Sequence, residues 1–471
     1  MICENMEQMK NAGQGILAVQ DGEAKVLDED RLRGNLIDTL IFTAVFSSHG
    51  ETADAARRLI RQAAATLGIR PASIQPLYEA MGRGKVSGFT VPAINIRGLT
   101  YHVAQAILRS AMKDKVGAVL FEIARSEIGY TFQRPAEYAA AVTAAAIKSG
   151  YRGPLFLQGD HFQVNAKRFA AADGYKELKA VKDLIWEAIE AGFYNIDIDT
   201  STLVDLTKPT VKEQQHVNYS LAAELTTVIR DLEPAGVTIS VGGEIGEVGG
   251  KNSTVEELQA YMEGYLEELK KNDATLKGIS KISVQTGTTH GGVPLSDGSV
   301  AEMNLDFATL ERLSREAREK YGMAGAVQHG ASTLPDEAFD KFPAIETAEI
   351  HLATGFQNII FESKNFPAEL RERIYAHLKT QHAGDRKPED TDEQFIYKTR
   401  KKGLGDFKRE LWHLPQETLN ALGAELEKQF SFLFKKLNML NTCETINKYV
   451  KPVDVPVKAP AALGSSPVRE Y

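Results

Sequence analysis

Between residues 154 and 199 the chain reads Pro154-Leu155-Phe156-Leu157-Gln158-Gly159-Asp160-His161, then an amphipathic stretch from Tyr175 to Ala191, then Tyr194-Asn195-Ile196-Asp197-Ile198-Asp199. Two short apolar runs separated by a helix-length segment predict a strand, a helix and a second, parallel strand. The same texture extends in both directions. Strands are predicted at Phe89–Ile94, Val116–Phe121, Pro154–Leu157, Tyr194–Ile198, Val237–Val241, Lys281–Val284 and Gly325–Gln328, with an eighth at Glu349–Leu352 or Asn358–Phe361. Helices are predicted between them, at Tyr101–Met112, Ala136–Lys148, Tyr175–Ala191, Lys212–Arg230, Val255–Lys270, Leu305–Lys320 and Asp336–Lys341. About eight such units within about 280 residues predict an α/β protein built on a (β/α)8 TIM barrel.

Outside that span the texture changes. Residues 1–85 read as a mostly helical N-terminal extension, 86–365 as the barrel, 366–450 as a helical C-terminal extension, and 451–471 as a disordered tail rich in Pro and small residues. The 471 residues are 43% hydrophobic and 25% charged, enough to bury a large core. With Gly 38 and Pro 17, collagen-like and low-complexity classes are excluded. No apolar run approaches the ~18–20 residues of a membrane span, and Met1–Lys10 holds two Glu and no apolar core of a secretory signal. A net charge of −8 argues against a nucleic-acid or anionic-membrane footprint. Cys3 and Cys443 lie at opposite ends without metal-ligand spacing, so a reducing, cytoplasmic location is expected.

Three of the ten histidines share a setting: His161, His290 and His329 each lie one to six residues past a predicted strand end. Those ends converge on one face of a barrel, where loops build active sites. Three imidazoles there suit a catalytic Zn²⁺ or another divalent metal, with a position left for substrate. Asp160, beside His161, is placed to act as general acid/base on a substrate hydroxyl. Glu244 and Asp199, also at strand ends, are candidates for a fourth ligand or for orienting an imidazole. His102 is ambiguous; His49, His216, His377, His382 and His413 lack the setting. The glycine pairs Gly242-Gly243, Gly249-Gly250 and Gly291-Gly292 are candidate phosphate cradles, with Gly330 and Ser332. Residues 246–252 fail the Walker pattern, and no G-x-G-x-x-G opens a helix after the first strand.

Taken in order, Val91-Pro92-Ala93-Ile94-Asn95, Asp160-His161, Ile198-Asp199-Thr200-Ser201, Gly243-Glu244-Ile245-Gly246 with Gly249-Gly250, Gly287-Thr288-Thr289-His290-Gly291 and His329-Gly330-Ala331-Ser332 resemble the motifs of the class II, metal-dependent fructose-bisphosphate and tagatose-bisphosphate aldolases. The resemblance covers about residues 88–362. It implies a homo-oligomeric lyase of carbohydrate metabolism acting on a small-molecule sugar phosphate, by default fructose 1,6-bisphosphate, and yielding dihydroxyacetone phosphate and glyceraldehyde 3-phosphate. Zinc would sit on His161, His290 and His329, with Asp160 moving the hydroxyl proton. Asn95, Gly291, Gly292, Gly330, Ser332 and Thr354 would hold substrate and phosphate, and a monovalent cation is a family expectation.

The chain also departs from the family. Lys251-Asn252-Ser253 stands where a loop acid is usual, with Glu256 and Glu257 the nearest acids. Gly292–Ser296 holds no lysine, and His351 replaces an asparagine that would bond the reacting substrate. That imidazole could donate the same bond, act as an acid or join the metal. Arg97 and Arg125 are candidate replacements for the lysine. These departures leave room for the same chemistry on a monophosphorylated, sulfonated or acid sugar, or for a non-catalytic aldolase subunit.

Overall fold

Eight short strands form from the apolar runs and close on one another. They are β1 (Val91–Asn95), β2 (Leu120–Ala124), β3 (Gly153–Gln163), β4 (Asn195–Asp199), β5 (Ser240–Glu244), β6 (Lys281–Val284), β7 (Ala326–Gln328) and β8 (Glu349–Leu352). Each pairs in parallel with the next, and β8 returns to pair with β1. The structure, a computed structural model, describes residues 1–20, 23–171, 174–246, 251–287, 294–295, 301 and 305–456. The (β/α)8 barrel expected from the sequence is therefore present, and the eighth strand is the Glu349–Leu352 alternative. Residues 358–361 belong instead to the helix Thr354–Glu362.

Closure follows from burial on both sides. Every residue of β1, β2, β4, β5, β6, β7 and β8 is buried, as parallel strands covered by helices must be. The outer ring is made by Thr100–Lys113, Pro135–Ser149, Gly174–Ala191, Val211–Leu232, Val255–Asn272, Phe307–Tyr321 and Thr354–Glu362. After β7, where a helix over Asp336–Lys341 is expected, there is a 3-10 turn at Asp336–Ala338 and a one-turn helix at Lys341–Ala344.

Three predicted strands start too early. Observed β1, β2 and β5 begin two to four residues later than the apolar runs and end on Asn95, Ala124 and Glu244. β3 runs on through Asp160 and His161 to Gln163, so this pair lies within the strand rather than beyond it. The ladder to β4 shifts register between Gly159 and Phe162, and His161 sits at φ +41 inside that bulge. Gly242 and Gly243 lie inside β5, not in a phosphate loop. A Cβ on Gly242 would meet Asp197 Oδ1 at 2.3 Å, so its smallness makes room for a buried charge.

The barrel interior is ionic. Lys281, fully buried on β6, donates to Gln158 Oε1 at 2.8 Å, Asp197 Oδ2 at 3.0 Å and Glu349 Oε1 at 2.5 Å. Tyr78, from the helix Gln75–Gly82 that precedes β1, bonds the other Glu349 oxygen.

Both flanks pack on the outer ring. Near the N-terminus Leu17–Gln20 and Glu23–Val26 form an antiparallel hairpin that helical patterning did not anticipate. The helices Ile37–Phe46 and Gly50–Thr66 lie against Pro135–Ser149, where Asp38 pairs with Lys148 at 2.6 Å. Past the barrel, Gln416–Lys436 lies along Thr100–Lys113. Phe42 and Phe46 meet Trp412, joining the two flanks. From residue 457 the expected tail lies outside the described residues.

Lys281→Met leaves Asp197 and Glu349 buried without their cation, and should cost about 3–5 kcal/mol of stability in denaturant unfolding. His102, packed against Trp412 with Nε2 buried and unpartnered among the described residues, has its pKa lowered to about 4 by burial and by the charges of Arg109 and Lys148. The unfolded chain takes up this proton near pH 6.5. Stability should therefore fall as pH drops from 6.5 toward 4, by up to about 1.4 kcal/mol per pH unit. His102→Phe should flatten that window in melts compared at pH 7 and 5.

Candidate active site

The C-terminal ends of the strands bring polar side chains to one mouth, as the barrel's geometry requires. A cavity of about 590 Å³ opens there. Asn95, Asp160, His161, Asp199, Glu244, His329 and His351 line it, and Gly330, Ser332 and Thr354 stand at one side. His290, Gly291 and Gly292 lie outside the described residues.

His161 and His329 face each other, with Nε2 of the first 2.8 Å from Nδ1 of the second. Their remaining nitrogens have partners of their own. His161 Nδ1 lies 3.0 Å from both Asp199 Oδ2 and Glu244 Oε2, and so carries a hydrogen. His329 Nε2 lies 2.9 Å from Ser283 Oγ, and either atom can be the donor. The facing nitrogens can share one proton, or both can turn lone pairs toward a bound cation. His161, His329 and Glu244 offer donor atoms within 4.8 Å of one another. Asp199 already has donors on both oxygens: its Oδ1 accepts from Ser201 N and Oγ at 3.0 and 2.7 Å, and its Oδ2 from Gln163 at 2.6 Å.

Charge also favours a cation. Asp160, Asp199, Glu244, Glu122, Asp197 and Glu349 are all buried around three imidazoles and Lys281. Burying carboxylates without compensation is costly. Burial opposes the charge of His161, yet Asp160 and Glu244 raise its pKa well above the usual range. Burial and the neighbouring Asp199 push Glu244 up to about 7. Asp199 goes the other way, because hydrogen bonds from His161, Ser201 and Gln163 outweigh its burial. The donor set of two imidazoles and a carboxylate, with cations in deficit, fits a divalent metal such as zinc.

Asp160 points into the cavity, held by Asn95 Nδ2 at 2.8 Å and His351 Nδ1 at 3.1 Å. Despite burial, the positive fields of His161 and His351 keep its pKa well below the carboxylate norm. His351 bridges the site and the interior, its Nε2 lying 2.6 Å from Glu349 Oε1.

Other expected residues are engaged elsewhere. Glu257 caps its own helix through Thr254 N and pairs with Lys251 at 2.7 Å. It is absent from the cavity wall, as is Glu256. Arg125 lines the cavity but is clamped to Glu177 at 2.5 Å. Arg97 also lines it, bonding Glu127 at 2.6 Å and Thr354 Oγ1 at 3.0 Å. Glu127, Tyr130, Ser283 and Lys401 escaped the sequence reading. Nothing local marks them: Glu127 and Tyr130 look like helix residues, Ser283 like a strand residue, and Lys401 lies in a charge run beyond the barrel.

The family model described as "Fructose-bisphosphate aldolase class-II" matches residues 76–403. The chain belongs to the class-II fructose-bisphosphate aldolase family. Among solved structures, a probable tagatose 6 phosphate kinase from Sinorhizobium meliloti aligns over 77% of this aldolase and 94% of its own chain, at 20% identity and a TM-score of 0.51. That likeness reflects the shared fold. A fructose-bisphosphate aldolase from Campylobacter jejuni covers 79% of this chain and 97% of its own, at 18% identity and a TM-score of 0.47. Family membership supports an aldolase lyase. No described helix of this aldolase is long and apolar enough to cross a membrane.

Ser283→Ala frees the His329 ring. It should weaken binding of a titrated divalent metal about 10–100-fold, as losing an imidazole's outer partner does, with little change in melting of the metal-free protein. Calorimetric titration measures it.

Proposed function

We propose that this aldolase cleaves a ketose phosphate by metal-assisted retro-aldol chemistry, with fructose 1,6-bisphosphate as reference substrate. The carrying observation is the facing pair His161 Nε2 and His329 Nδ1 at the barrel mouth, with His161 Nδ1 held by Asp199 and Glu244. His161, His329 and His290 would hold zinc, with Glu244 as a further ligand or orienter. When bound, the metal supplies an electron sink for the ketone as the carbon–carbon bond breaks. Asp160, ionised and aimed by Asn95 and His351, takes the proton of the hydroxyl on the carbon that becomes the aldehyde. His351 keeps that carboxylate in place, itself held from below by Glu349. The Gly330, Ser332 and Thr354 side of the cavity would receive phosphate, beside the N-terminus of Thr354–Glu362.

A Schiff-base mechanism has less support. Lys281, the lysine inside the barrel, is held charged by Asp197 and Glu349 and does not reach the cavity. The reading takes residues 86–365 as the catalytic unit flanked by extensions, in a homo-oligomer of the cytoplasm. Cys3 and Cys443, both free thiols, suit that compartment. A sugar with a sulfonate or carboxylate end is the second reading, favoured by the engagement of Glu257 away from the cavity.

A coupled cleavage assay on fructose 1,6-bisphosphate should show turnover that a chelator abolishes and zinc restores. Asp160→Ala should keep its metal while losing about 10²–10⁴ in kcat. Turnover insensitive to chelation, or an unchanged kcat in this variant, would overturn the assignment.

A further inference from the structure

Three consecutive cations, Arg400-Lys401-Lys402, follow the helix Asp392–Thr399 in the segment beyond the barrel. The outer two have carboxylate partners: Arg400 reaches Glu362 at 2.9 Å, and Lys402 reaches Asp385 at 2.5 Å. The middle one has none among the described residues. Lys401 is half-buried and lines the active-site cavity, its ammonium 5.6 Å from the centre of the Tyr130 ring. Close backbone packing fixes it there. A Cβ on Gly405 would lie 2.1 Å from Tyr130 O, and Leu404 fills the space over Gly98. Lys408 also donates to Phe132 O at 2.9 Å.

We propose that Lys401 and Arg97 form an anion subsite for the phosphate, or another strongly anionic group, of the sugar substrate. Arg97 comes from the loop after β1 and hydrogen-bonds Thr354, so the two cations border the side of the cavity already assigned to phosphate. Arg97 is neutralised by Glu127, whereas Lys401 is not. A half-buried ammonium beside a guanidinium is unfavourable until an anion arrives. In keeping with this, burial and the charge of Arg97 lower the Lys401 pKa. The proposal rests on the sugar-phosphate reading of the site, but its test need not involve turnover.

The test is calorimetric binding of glycerol 3-phosphate, an unreactive phosphomonoester, to the metal-loaded protein, comparing wild type with Lys401→Met and Lys401→Arg. The methionine variant should bind at least about tenfold more weakly, as expected for losing a charge-assisted hydrogen bond. The arginine variant should stay within a few-fold of wild type. Melting of Lys401→Met should be unchanged or higher, because a like-charge contact is relieved; a structural lysine would give the opposite. Equal binding in wild type and Lys401→Met, or no binding by wild type, overturns the subsite. So does borohydride trapping of a ketose on Lys401, which would make it an imine-forming amine. Loss of binding without any cleavage of fructose 1,6-bisphosphate would leave the subsite standing and overturn only the substrate. Cleavage with an unaltered KM in Lys401→Met, alongside equal glycerol 3-phosphate binding, would do the reverse.

Discussion

One ammonium group organises the inside of the barrel. Lys281 is fully buried, and its three hydrogen bonds tie β6 to β3, β4 and β8 across the interior. Glu349 passes that fixation upward to His351, and His351 passes it to Asp160. Glu349 stays ionised with its pKa at about 2, since Lys281 and His351 outweigh the effect of burial. The carboxylate at the mouth is thus braced from below by a chain of charge-assisted bonds rather than by apolar packing. Such a network is strong only when complete. The helix Gln75–Gly82 belongs to it as well, because Tyr78 closes the lower end on Glu349.

The periodicity of the chain was enough to identify the barrel, because parallel strands buried on both faces must be apolar over several residues. It was less reliable about where those strands end. Asn95, Glu122, Asp160, Asp199 and Glu244 are polar residues seated in β-strands, and single-sequence patterning reads such residues as loop. Those displaced boundaries coincide with the chemistry. His161, His329, Asp160, Asp199 and Glu244 were legible as site candidates because residue type and strand-end position together are informative. The role of Gly242 was not, since it depends on Asp197 one strand away. Nor was the purpose of Glu257, which a Thr254-x-x-Glu257 pattern identifies as a helix cap once the helix start is known.

The segment after β8 packs across the mouth side of the barrel. Gln394 reaches Pro294 after β6, Arg400 reaches the helix after β8, and Gly405 lies on the backbone of Tyr130 after β2. One continuous stretch thus touches the segments that follow β2, β6 and β8.

The bulge in β3 has a stereochemical consequence. Along a regular strand, neighbours point to opposite faces, so an aspartate followed by a histidine would place one inside the barrel and the other among the helices. The extra residue between Gly159 and Phe162, with His161 in a left-handed conformation, cancels that alternation for one step. Both side chains then reach the same cavity. A carboxylate and an imidazole are thereby supplied to the cavity by a single dipeptide, whose side chains neighbouring strands then aim. Restoring a flat ladder at this point would separate the two functions without changing a single side chain.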